Sequence, residues 1–146
     1  MKIAISQTGL ASVRAISTAF RGRMLDLRPG FARAATFVLD AAKTQINEEG
    51  DPPWAPKKKP NGLPLLVRKG ALKESLQADF GEAITEIEGG IAVGTNLPYA
   101  PAQQFGTDKA GRNHDVHIPA RPFLWRDPGE YSVKIRDIFA DFIAHG

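Results

Sequence analysis

The sequence predicts an α+β fold in a single domain over residues 1–146. It consists of a small antiparallel sheet of three to four strands packed with two long helices and a C-terminal helix, with extended loops between them. Three observations carry this. Phe31, Ala34, Ala35, Val38, Leu39, Ala42 and Ile46 recur at helical spacing and form the strongest apolar stripe in the chain. ITEIE and IAVG, on either side of Gly89-Gly90, read as two short strands of a hairpin. Tyr131, Ile135, Ile138, Phe139 and Phe142 form a second stripe that closes the chain.

The elements follow in order. Lys2 to Ser6 alternates, with Ile3 and Ile5 on one face, and reads as a short first strand at a sheet edge. Residues 8–24 place Leu10, Val13, Ile16, Phe20 and Met24 three or four apart, which is one stripe of a helix, with Thr8 or Ser12 as its cap. Arg28-Pro29-Gly30 interrupts, and Pro29 suits a helix start because its missing N–H would lack a partner there. The helix from Phe31 runs four or five turns, until Gly50 and Pro52 end it.

Residues 50–64, GDPPWAPKKKPNGLP, are too rich in proline and glycine for a regular element and read as a loop or arm. A connection of that length in a compact domain is functional or mobile. Trp54 within it is either a plug that pins the loop to the core or an anchor for another subunit. Gly70 starts a short helix carrying Leu72 and Leu76. Residues 75–80, 82–88 and 91–95 read as an antiparallel meander. Residues 97–105 read as a short helix with Asn96 as cap and Pro98 in its first turn. Residues 106–115 are polar and glycine-rich and read as an exposed loop; 116–125 are extended and apolar; Asp127-Pro128 opens the last helix.

Composition narrows the function. There is no cysteine, which excludes disulfides, thiolate metal sites and a cysteine nucleophile. The opening MKIAISQTGLASV lacks the continuous run of about 7–15 apolar residues of a secretory signal. No segment approaches the roughly 20 apolar residues of a membrane span. A soluble protein made in the cytoplasm is expected. The net charge of +3 is a mild excess that suits an anionic neighbour without requiring one.

Candidate chemistry is sparse. His114, Asp115 and His117 are legitimate ligand types, but His117 runs straight into Ile118-Pro119 and the spacing matches no helical two-histidine site, so no metal is expected. None of the serines lies in a nucleophile elbow, and no phosphate loop or dinucleotide fingerprint is present. Glu86 and Glu88 share one face of a strand, with no evident apolar pocket to make them an acid/base pair. No catalytic residue, cofactor site or enzymatic activity is expected. Lys57, Lys58 and Lys59, with Arg68, Lys69 and Lys73 behind them, form a basic patch over 57–73. It would contact phosphates without reading sequence, so a nucleic-acid-binding module is the alternative reading.

The order of the remaining features carries a resemblance. GDPPWAP, LLVRKGALKESL, VGTNLPYAPAQQFGT and IPARPFL follow one another before a closing helix, from about residue 25 to the end. In this the chain resembles the phage virion morphogenesis family, the tail-completion proteins of Mu-like and P2-like phages and prophages. Members usually carry a histidine where this chain has Gln103. The resemblance implies a structural protein of the virion that finishes the tail or makes it competent to join the head at the neck. Assembly in the bacterial cytoplasm, contacts with other tail or neck proteins, a homo-oligomeric ring and non-specific proximity to DNA go with it. A ring subunit needs two different patches, and aromatic and arginine side chains are favoured anchors. The expected interface residues are therefore Trp54, Lys57, Lys58, Lys59, Tyr99, Gln103, Gln104, Phe105 and Arg121.

Overall fold

The computed structural model describes residues 7–56, 65–66, 70–77, 83–125, 129 and 131–145, with backbone alone for 7–13. The elements run α1 (Gln7–Leu25), α2 (Arg28–Asn47), α3 (Ala71–Glu74), β1 (Ile84–Ile87), β2 (Gly90–Val93), α4 (Ala100–Phe105), β3 (Thr107–Ala110), β4 (Val116–Ile118) and α5 (Ser132–His145). The α+β class is as expected. The strands form two separate antiparallel ribbons, β1-β2 and β3-β4, in place of one sheet of three or four strands.

Helix α2 is the spine. Ala34, Ala35, Val38, Leu39, Ala42 and Ile46 are all buried, as their spacing predicts. Pro29 lies in its first turn. The helix has no side-chain cap on Leu27; instead the Asp26 carboxylate accepts from the Arg28 backbone N–H (3.2 Å). That carboxylate also accepts from Arg28 Nε and Nη2, at 2.8 and 2.9 Å. These bonds hold the Asp26 carboxyl down to about 2. At its other end, Gly50 has φ +92°, and a Cβ there would sit 2.5 Å from the Trp54 indole.

Leu39, Ile46, Leu72, Leu76, Ile84 and Phe123 are the largest fully buried side chains, and they bring α2, α3, β1 and the 121–125 segment into one core. Each such side chain contributes about 1.5–3 kcal/mol by leaving water. Helix α5 crosses α2 at Gly30, where an added Cβ would lie 2.8 Å from the Phe139 ring. The crossing is lined by an edge-to-face pair, Phe31 on Phe139 at 5.0 Å, and by Arg33 over the Phe142 ring at 5.5 Å.

Several expectations are corrected in detail. Residues 75–77 continue the α3 turn and do not start a strand: Ser75, Leu76 and Gln77 N–H groups bond back to Ala71, Lys73 and Glu74 carbonyls. The rest of that expected strand, the strand at 2–6 and Asp127-Pro128 lie outside the described residues. The hairpin pairs Ile87 with Gly90, so its turn is Glu88-Gly89, one residue earlier than Gly89-Gly90. The short helix starts at Ala100 after a Pro98-Tyr99 turn, not at residue 97 behind an Asn96 cap, with Pro101 in its first turn. Residues 107–118 are a β-hairpin whose strands are mostly exposed, in place of the exposed loop expected over 106–115.

Candidate functional site: a glutamine latch with an aromatic outer face

The 93–107 segment lies between the two ribbons and is held from both sides. Toward the core, Thr95 Oγ1 shares a 2.7 Å hydrogen bond with Ser75 Oγ, which also donates to the Leu72 carbonyl (2.8 Å). Thr95 Oγ1 also accepts from Leu97 N–H at 3.3 Å. The Gly94 N–H donates to Ala83 O across the base of β1-β2. The GALKESL and VGTN stretches are thus two halves of one joint.

On the other side the centre is Gln104, which is 5% exposed. Its Oε1 accepts from the backbone N–H groups of Phe123 (3.0 Å) and Leu124 (3.1 Å), and its Nε2 donates to Trp125 O (2.6 Å). The amide replaces the strand partner that residues 123–125 lack, which is the condition for burying their backbone. Gln103 works beside it: its carbonyl accepts from Arg121 N–H (2.7 Å), and its Oε1 takes a long 3.4 Å bond from Arg121 Nη1.

Arg121 is buried, and its Nη2 donates to Ala55 O at 3.2 Å, tying the proline arm to the latch. Its Nε has no hydrogen-bond partner among the described residues. Burial pushes the guanidinium pKa down. Gly106 closes the latch with φ +72°, and a Cβ there would lie 2.7 Å from Ala120 N and 3.0 Å from Ile118 O.

The expected interface residues therefore divide. Gln104 and Arg121 point inward and are engaged within the chain, and Gln103 is half-buried beside them. Trp54 is half-buried and packs against the core; with Gln45, Asp51, Pro52, Pro122, Trp125 and Tyr131 it lines a cleft of mixed character of about 240 Å³. Tyr99 and Phe105 face outward, 44% and 69% exposed. Lys57, Lys58 and Lys59 lie outside the described residues, as do Arg68 and Lys69. Sequence patterning missed the Ser75–Thr95 bond and the depth of Gln104, because hydropathy gives a buried amide no signal.

The histidines serve the second hairpin. His117 pairs with Asp108 across β3-β4, and His114 Nδ1 lies 3.2 Å from Lys109 O. Among the described residues no three His, Asp or Glu side chains come together in a way that could hold a metal ion. No described helix is long and apolar enough to cross a membrane.

This small α+β protein builds an internal latch from its most idiosyncratic residues and leaves Tyr99 and Phe105 exposed beside it. The chain belongs to the phage virion morphogenesis family, whose model matches residues 10–143. It is similar to the Mu-like prophage FluMu G protein 2 of Haemophilus influenzae (strain ATCC 51907 / DSM 11121 / KW20 / Rd). The two are 37% identical over 114 residues, spanning 76% of this chain and 75% of the relative. No solved structure matches the chain. Its role is in building phage particles.

Proposed function

We propose that this chain is a non-enzymatic subunit that completes the tail and joins it to the head at the neck of a tailed phage or prophage, as a ring. The observation that carries this is the match along residues 10–143 to a virion morphogenesis family. The similarity to a protein named for a Mu-like prophage supports it. So does the arrangement of the latch: the Gln104 bonds hold the backbone of α4 and 123–125 rigid, while Tyr99 and Phe105 stay outside with about half or more of their surface open. Large exposed aromatics on a rigid support are what an interface core uses. Assembly would take place in the bacterial cytoplasm, with other tail or neck proteins as partners.

Deleting the gene from an inducible phage or prophage and imaging the lysate by electron microscopy tests the role. Separated heads and tails are expected. Intact infectious particles from the deletion would overturn it.

A further inference from the structure

Helix α1 packs on α5 but is exposed over most of its described length. Every residue from Arg14 to Gly22 is exposed. Its tie to α5 is at its C-terminal end, where Arg23 Nη1 donates to Ile143 O at 2.8 Å. Ile16, Phe20 and Met24, four apart and therefore on one stripe, are 70%, 48% and 50% exposed. Most helical stability comes from packing an apolar face, and little of the described part of α1 is packed. An exposed apolar stripe of this kind marks a contact surface.

The charges say what covers it. Helix α1 contains no Asp or Glu, and Arg14 and Arg21, seven apart, run along one edge of the stripe. Two α1 helices laid together would oppose cation to cation. The surface of opposite character is a groove of about 560 Å³ on the same chain, between the α1–α2 corner and the β1-β2 hairpin. Met24 and Leu25 at the end of α1, with Leu27, Phe31, Ile87 and Ile91, make it apolar, and Ile87 is 55% exposed. On its rim Asp26 and Arg28 neutralise each other in an ion pair at 2.8 Å. Glu86, and Glu88 in the adjoining turn, add negative charge at that rim, with Glu86 close enough to act through space on the Arg28 guanidinium.

We infer that α1 of one copy docks in this groove on the next copy, Ile16 and Phe20 on the apolar floor and Arg14 and Arg21 against Glu86 and Glu88. The inference rests on the ring reading and names its interface. The α1 residues that would dock, from Arg14 to Arg21, are a different patch from the groove, which the same helix walls only at Met24 and Leu25, so the contact is head-to-tail, the kind that closes into a ring.

Sedimentation velocity of the full chain over a concentration series, with charge-exchanged variants, tests it. All four charged positions are exposed, so the variants should keep the wild-type circular dichroism. Arg14→Glu with Arg21→Glu, and separately Glu86→Arg with Glu88→Arg, should each weaken self-association by at least about tenfold. The chain carrying all four exchanges should associate again, to within about threefold of wild type. If the wild type assembles and the exchanges leave it unchanged, or the fourfold variant does not recover, this interface is wrong while the ring stands. A wild type that stays monomeric at every concentration overturns the ring and this contact together. The neck role would then rest on the particle images alone. Binding of α1 to another virion protein in place of its own copy would also overturn the inference.

Discussion

Replacing Gln104 by methionine keeps the length of the side chain and removes three hydrogen bonds at once. The Phe123 and Leu124 N–H groups lose their acceptor, and Trp125 O loses its donor. Phe123 is 1% exposed and Leu124 8%, so water reaches these groups poorly. Each buried group left without a partner costs about 1–3 kcal/mol. Three of them give a loss of about 3 kcal/mol at the least, offset in part by burying an apolar chain in place of an amide. A domain of this size has a total stability of roughly 5–15 kcal/mol, so the loss is a large share of it.

Urea unfolding followed by tryptophan fluorescence reads this directly, since Trp54 and Trp125 both pack against the core. The melting temperature should fall by roughly 6–12 °C. Gln104→Glu supplies a second, sharper test. One carboxylate oxygen still accepts from the two N–H groups, but the other then faces the Trp125 carbonyl. The carboxyl must be protonated to donate there, so its folded pKa rises above the usual glutamate range of about 4.3. The sign follows: the variant is most stable below that value and loses stability as pH rises through the raised folded pKa. A Gln104→Met loss below about 1 kcal/mol, or a Gln104→Glu variant that gains stability with rising pH, would refute the latch.

Other outcomes follow from the same geometry. Gly106→Ala should destabilise by about 1–3 kcal/mol in thermal unfolding, because it sets a methyl against the Ala120 backbone at a positive φ. Phe105→Ala should leave stability within about 0.5 kcal/mol, since the ring is mostly exposed, while lowering particle assembly in a complementation assay; a strongly destabilised variant would make the ring a core residue instead. NMR titration of the Asp26 carboxyl should find a midpoint near 2, shifted by the Arg28 hydrogen bonds. Its contribution, present above the unfolded pKa, should disappear as pH falls through that midpoint. Arg28→Ala should return the titration to the ordinary aspartate range of about 3.9.

The parts of the fold legible in the sequence were those where one face is buried and the period is regular. The α2 stripe is the clearest case, and Gly70 before Leu72 and Leu76 another. Local competition moved the boundaries. Thr95 accepts the Leu97 N–H, so the chain turns there and α4 begins three residues later than the Asn96-Pro98 signal implies. The β3-β4 strands carried no apolar alternation because little of them is buried. In α1 the periodicity was real, but periodicity reports a stripe and not what covers it. The family motif was legible as order and spacing; that Gln104 faces inward and Phe105 outward required the three-dimensional positions of residues 121–125.

The latch also uncouples the length of the second hairpin from the core. Gln103 bonds Arg121 and Gln104 bonds residues 123–125, so the chain is clamped below β3 and β4 before it leaves the body. Everything from Thr107 to Ile118 is then a closed loop anchored at its root, with an exposed tip at 111–114. Lengthening such a loop costs little, about 0.6 kcal/mol for each doubling, and leaves the core untouched. A longer or shorter hairpin would therefore leave the clamp beneath it in place.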